Sequence, residues 1–296
     1  MNLIITHAGC YDGSCSAWLL QKTLGGTIIP CHYGTEREKI GRKLIDYAGE
    51  YDRVFITDFS FDSHHLLGLL NANCGAVVLD HHKSAAIGLD LVIKQYPDRV
   101  FFDMNRCGAK MTFDYLVQHH PVELKHTFND LSFLESLIGY VQDRDLWTWN
   151  LPDSKGINSV LRTYGHDQWE EIHRKFSNGE LRREMVPIVR LERRIIDSAK
   201  SHAYEVLIPT LEGPRIVPCV NQTLPTLMSE IVGELAEESD YGVAIGWFYD
   251  AKDNKYIHSI RSRGEVDVRV IAESFGGGGH KNSAGFTLNT QLEVAK

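Results

Sequence analysis

Val77-Val78-Leu79 runs directly into Asp80-His81-His82. Three apolar residues, two of them β-branched, read as a buried strand whose exit carries an acid and two imidazoles. The pattern occurs twice more upstream. Leu3-Ile4-Ile5-Thr6 delivers His7 and then Asp12-Gly13, and Arg53-Val54-Phe55-Ile56-Thr57 delivers Asp58. A lone aspartate after a strand is more often a helix cap or turn former, and a lone histidine more often a satisfied core residue. Three strand ends supplying such groups together point instead to a metal site at the carboxyl edge of a parallel sheet. Metal-assisted phosphoryl chemistry needs hard oxygen donors, one or two imidazoles and open coordination positions. His7, Asp12, Asp58, Asp80, His81 and His82 supply that set. A helix carrying Asp143-Arg144-Asp145 adds a further carboxylate, and spacing alone does not choose between Asp143 and Asp145.

The elements that must position these groups alternate strand and helix. After the first strand, residues 14–24 read as a helix closed by Gly25-Gly26, followed by a strand at 27–30 and a charged helix over 37–47. The Asp58 strand, a helix near 63–71, the Asp80 strand and a short strand at 100–102 follow, then helices over 108–119 and 132–147. The expected fold is α/β: a doubly wound, mainly parallel sheet. A long charged helix runs from Glu180 to about Tyr204, with Pro187 either kinking it or marking its start. Beyond it lie strands at 216–218, 241–249 and 256–261 and helices over 226–237 and 268–275. The chain therefore divides into a domain over 1–180, a linking helix over 181–205 and a smaller α/β domain over 206–296.

Composition sets outer limits. Of 296 residues, 43% are hydrophobic and 24% charged, as in a soluble globular protein with ample core. No apolar run approaches the ~18 residues that span a bilayer, and the N-terminal apolar stretch is too short for a signal peptide. Six scattered cysteines show no Cys-x-x-Cys pair, which fits reduced thiols and a cytoplasmic protein without membrane partners. A net charge of −8 argues against long duplex nucleic acid as a partner, and leaves room for a small anionic substrate held by local Arg, His and Lys groups.

Asp80-His81-His82 after an apolar strand, with His7, Asp12-Gly13 and Asp58 before it, resembles the DHH phosphoesterase superfamily. Gly276-Gly277-Gly278-Gly279-His280 near the other end resembles the glycine-rich signature of its associated C-terminal domain. The resemblance covers essentially the whole chain. It implies a manganese- or magnesium-dependent hydrolase, using one or two ions, with its active site in the cleft between domains. Carried over by position, Asp12, Asp58, His81 and Asp143 would hold one metal, Asp143 being favoured over Asp145 by the motif. Asp58 would bridge to a second metal bound also by His7. His82 would touch the leaving group or phosphate, and Asp80 would orient the histidines. Where the family usually has Asp-x-Asp, this chain has Cys10-Tyr11-Asp12, so a soft sulfur stands where a hard oxygen is expected. Cys10 then either ligates a softer metal such as zinc, or stands by while the second ion binds weakly, or the site works with one ion.

Four successive glycines have no side chains to block a ligand, and their amides can form an anion cradle; they also suit a tight structural turn. With the resemblance, Gly277, Gly278, Gly279, His280 and Arg261, with Arg263 beside it, become the expected substrate-binding groups. The expected function is hydrolysis of short single-stranded oligonucleotides or small nucleotide phosphoesters by metal-activated water. The chain is too short for the added oligonucleotide-binding domain of long exonucleases. Alternatives are a polyphosphate or phosphoanhydride hydrolase, and a catalytically degenerate nucleotide-binding module. A homodimer is left open.

Overall fold

Short β-branched runs alternating with helices too long to be loops leave the chain one economical solution, a parallel sheet with helices on both faces. The structure, a computed structural model, describes residues 1–222 and 225–295 and divides into two units, Met1–Val186 and Pro187–Lys296. The first contains β1 (Asn2–His7), α1 (Tyr11–Leu24), β2 (Thr27–Cys31), α2 (Thr35–Gly41), α3 (Leu44–Glu50), β3 (Arg53–Thr57), α4 (Ser63–Ala72) and β4 (Val77–Asp80). It continues with α5 (Lys83–Gly88), α6 (Asp90–Gln95), β5 (Val100–Phe102), α7 (Gly108–His119), α8 (Pro121–Thr127), α9 (Leu131–Asp145), α10 (Ser154–Leu161) and α11 (Trp169–Ser177). Helix α12 (Glu180–Lys200) runs through the boundary with Pro187 inside it, so this proline does not mark the helix start.

The sheet of the first unit has the order β2-β1-β3-β4-β5, parallel throughout. Its order reverses between β1 and β3, the place where open α/β sheets form a crevice at their carboxyl ends. Those ends carry His7, Asp58 and Asp80. Side chains alternate between the two faces. Leu3, Ile5, Val54, Ile56, Val78 and Val100 pack against Leu44, Leu66, Leu69 and Leu70 on one face. Phe55 turns to the other, where its ring meets Tyr115 of α7. The helix expected over 37–47 is two helices, α2 and α3, parted after Gly41. Glycine favours such a break, and a Cβ on Gly41 would lie 2.8 Å from Nδ1 of His65, so that ring would have to shift.

The second unit contains β6 (Tyr204–Ile208), β7 (Arg215–Asn221), α13 (Met228–Glu238), β8 (Val243–Asp250), β9 (Lys255–Ser262), α14 (Val268–Ser274), β10 (Gly278–His280) and β11 (Ser283–Leu288). Tyr204 thus opens a strand instead of closing the long helix. The sheet order is β10-β11-β9-β8-β7-β6, with β7 and β8 parallel and the other pairs antiparallel. One face packs on Val268, Ile271 and Ala272 of α14, the other on Ile231, Val232 and Leu235 of α13. A short stretch around Val294 bridges Val206 on the outer side of β6, where Leu207 N–H donates to Glu293 O (3.2 Å) and Ala295 N–H to Glu205 O (3.0 Å). Among the described residues no helix is long and apolar enough to cross a membrane.

Candidate metal centre

Each of the N-terminal strand ends places its functional group by a specific local device. Asp58 follows β3 with φ +53°, a left-handed conformation uncommon for a residue with a Cβ. Its N–H donates to Leu79 O (2.9 Å), which sets it beside the end of β4. Thr6 Oγ1 donates to Gly13 O (2.7 Å) and ties the end of β1 to the start of α1. Gly13 leaves room for the site, since a Cβ there would lie 2.6 Å from His7 O and 3.0 Å from Asp58 Oδ2. Asp12 accepts N–H bonds from Gly108 (2.6 Å) and Ala109 (2.7 Å), one on each carboxylate oxygen, at the positive end of α7. A Cβ on Gly108 would come within 2.7 Å of Asp58 Cβ.

These devices converge on one imidazole nitrogen. His81 Nε2 lies 3.1 Å from Asp58 Oδ1, 3.5 Å from Asp12 Oδ2 and 3.5 Å from Asp145 Oδ2. The other oxygen of Asp58 faces His7 Nδ1 at 3.6 Å. Asp12, Asp58 and His81 are almost wholly buried. Burial opposes a charge on His81, yet the Asp145, Asp58 and Asp12 carboxylates hold its pKa well above the usual value. Burial and then the charges of Asp58 and Asp145 push Asp12 well up. Asp58 goes the other way: against the cost of burial, the His7 and His81 rings keep it well below the ordinary carboxylate range.

Asp80 sits behind this cluster with 0% exposure. Its Oδ1 accepts from His81 N–H (2.8 Å), His82 N–H (3.2 Å) and the His82 ring at Nδ1 (2.6 Å), and Oδ2 from Ser60 Oγ (2.5 Å). These bonds tie down the backbone of both histidines and the ring of His82. Burial disfavours a charge on His82, and Asp80 more than offsets it, raising the pKa of that ring.

One expected ligand is elsewhere. Asp143 is turned to the chain that follows α9: Thr148 Oγ1 (2.6 Å) and Asn150 N–H (2.7 Å) donate to its Oδ1, and Leu151 N–H (3.1 Å) to its Oδ2. It organises a turn in which Trp147 and Trp149 both have left-handed φ. Asp145, the last residue of α9, occupies the position beside His81 instead. Further groups at the site have little signal in the chain. The half-exposed ring of Tyr33, just past β2, stands edge-on to His7 with centroids 5.0 Å apart and 6.1 Å from His82. Ser60 and the Gly108 and Ala109 amides act through Asp80 and Asp12.

The expected substrate-binding residues lie in the second unit. Arg261 donates to Ser229 Oγ (2.7 Å) and to Ile260 O (3.0 Å), and Arg263 pairs with Glu237. Gly278, Gly279 and His280 form β10. Gly277 and Gly279 are demanded by the neighbouring strand, because a Cβ would fall 2.1 Å from Gly285 O and 2.6 Å from Ala284 Cα respectively. The Gly276 and Gly277 amides donate to Glu273 O and Ala272 O, both at 2.9 Å, so those two are spent on closing α14 and take no part in an anion cradle.

Residues 215–296 match the DHHA1 domain. Ahead of that domain lie the doubly wound parallel sheet and the Asp-His-His strand end. A pGpG-specific phosphodiesterase from Vibrio cholerae is similar in fold, with a TM-score of 0.50 and 14% identity, covering 97% of this chain and 92% of that one. An uncharacterized protein from Helicobacter pylori G27 aligns with a TM-score of 0.49 and 16% identity over 100% of this chain and 94% of its own. Uncharacterized protein R106 of Acanthamoeba polyphaga mimivirus is 26% identical over 323 aligned positions, spanning 98% of this chain and 68% of the viral one.

Proposed function

We propose that the chain is a divalent-metal-dependent phosphoesterase that hydrolyses short oligonucleotides or small nucleotide phosphoesters with water as nucleophile. The observation that carries this reading is the convergence of Asp12, Asp58 and Asp145 on His81 Nε2 in a buried place. Three carboxylates and one imidazole can share such a space only by keeping protons or by sharing a cation. The donors fit a cation. Oδ2 of Asp58 and Oδ2 of Asp145 are buried with no hydrogen-bond partner, while both oxygens of Asp12 are held by the Gly108 and Ala109 amides. Carboxylate oxygens with imidazole nitrogen suit manganese or magnesium. Such a cation supplies, when bound, a water acidic enough to ionise near neutral pH and a positive charge for the phosphoryl oxygens.

The chain's own groups do the rest. The α7 amides fix Asp12, and the bond to Leu79 O fixes the Asp58 backbone, before substrate arrives, so little reorganisation remains for the reaction. Asp80 holds His82 in one orientation, and the raised pKa of His82 keeps a proton available for an oxygen of the phosphate or the leaving group. Arg261 and His280 of the DHHA1 domain are assigned the substrate phosphate. The similar Vibrio cholerae protein is named for pGpG, which makes a dinucleotide the first substrate to try. The test is a panel of pGpG, other dinucleotides, adenosine 3′,5′-bisphosphate and polyphosphate, assayed with manganese. Turnover of nucleotides that disappears in Asp58→Ala is expected. Full turnover in that variant, or hydrolysis of polyphosphate alone, would overturn the reading.

A further inference from the structure

The two oxygens of Asp58 face different donor sets. Oδ1 points to His81, whose neighbours are Asp12 and Asp145; Oδ2 points to His7, whose neighbour is Cys10. In the set Asp12–His81–Asp145 the donor atoms all lie within 4.8 Å of one another, and so do those of His7–Cys10–Asp58. The sets differ in kind: the first offers two carboxylates and an imidazole, the second a carboxylate, an imidazole and a thiol.

Cys10 is placed there by the backbone. His7, Ala8, Gly9 and Cys10 turn through Gly9 at φ +70°, a conformation suited to glycine, which folds residue 10 back toward residue 7. Cys10 is the N-cap residue of α1, yet its side chain makes no capping bond. It is partly exposed, whereas Cys15, Cys31, Cys107 and Cys219 are buried. The carboxylate oxygen aimed at this position, Asp58 Oδ2, belongs to a residue only 1% exposed and has no hydrogen-bond partner.

Resting on the metal-dependent reading above, we infer that the centre is asymmetric: His7, Cys10 and Asp58 form a position for a thiophilic divalent cation of the zinc class. Asp12, His81 and Asp145 form the hard position for manganese or magnesium, and Asp58 joins the two. Sulfur, nitrogen and oxygen from three side chains make a donor set that zinc accepts readily and magnesium does not. Three protein ligands leave a tetrahedral ion one open position, the arrangement of catalytic rather than structural zinc. Binding would convert the Cys10 thiol to a thiolate and release its proton to solvent.

Cobalt(II) is the probe, because it takes zinc positions and reports sulfur ligation by a thiolate-to-cobalt charge-transfer band in the near ultraviolet. Titrating the metal-free protein with cobalt is expected to raise that band to saturation, and Cys10→Ser is expected to abolish it. Cys10→Asp should also lack the band and should bind manganese at this position in its place. As a check that needs no variant at this site, zinc should slow modification of one of the two accessible thiols by a disulfide reagent. In a Cys74→Ser background that protected thiol is Cys10. Cobalt binding without the band, a band that survives Cys10→Ser, or no protection by zinc would overturn the inference. If manganese still binds and Asp145→Asn weakens it, the metal-dependent reading stands without it. If calorimetry detects no divalent cation at all, the broader reading falls as well.

Discussion

His81 and His258 are buried to the same degree, each 2% exposed, and they are driven in opposite directions. His258 lies in the sheet of the second unit, its ring stacked on Phe286 with centroids 4.7 Å apart, and Tyr256 O is 3.0 Å from Nδ1. Burial lowers its pKa to about 4, with only that carbonyl pulling the other way. His81 suffers the same desolvation and is nonetheless pushed up by the carboxylates of Asp145, Asp58 and Asp12. Exposure alone would class both as core histidines. The charges around the ring separate one that helps close a core from one that, on the proposed reading, would exchange a proton for a metal ion.

The contrast can be broken most strongly at Asp58. Asp58→Asn removes the group that serves both donor sets, and nucleotide turnover with manganese should fall by more than the roughly 10–100-fold typical of outer partners of a metal site. Steady-state rates with calorimetric manganese affinity measure it. Asp145→Asn should weaken manganese binding and also move its pH dependence. His81 in the metal-free protein holds its proton above the ordinary value, so a cation must displace that proton. Apparent affinity therefore rises with pH through neutrality and levels off only above the raised pKa of His81. Taking away the Asp145 charge lets that pKa drop, so the plateau should begin at lower pH, as calorimetry in buffers of different ionisation enthalpy would record.

His258 gives the opposite sign. A depressed histidine pKa favours the folded state above the unfolded value of 6.5, and that stability is lost as pH falls toward about 4. The loss across this window is on the order of 3 kcal/mol at its acid end. His258→Phe, which keeps the stack on Phe286, should flatten the acid limb in denaturant titrations at pH 6.5 and pH 4. The smallest effect belongs to Asp143→Ala. It leaves the Asn150 and Leu151 amides without their acceptor and should cost about 1–3 kcal/mol of stability. Because Asp143 stands off the cluster, the loss of manganese affinity should be smaller than in Asp145→Asn.

The strand ends are legible in the chain because β-branched runs ending in His7, Asp58 and Asp80 carry their own signal, and a parallel sheet puts such ends on one edge. The choice of Asp145 over Asp143 is not legible. The two share a helix, and only the turn at Thr148, Asn150 and Leu151, which engages Asp143, leaves Asp145 to face His81. The amides of Gly108 and Ala109 are likewise invisible, since a backbone donor has no residue type and its partner Asp12 lies far off in sequence. The glycines near the C-terminus read correctly as a place of close approach. What approaches Gly277 and Gly279 is the adjacent strand β11, and pattern alone does not distinguish that from a ligand. Helices α5, α6, α8 and α10 are too short for their periodicity to stand out.

The pairing of residues 293–295 along β6 has a practical consequence for anyone shortening this protein. Cutting the chain at 292 would strip the cover from the Glu205 and Leu207 backbone and leave a row of amides and carbonyls facing water. Two such molecules would then zip together through their raw sheet margins. Insolubility would follow well before any harm reached the chemistry at the other end of the chain.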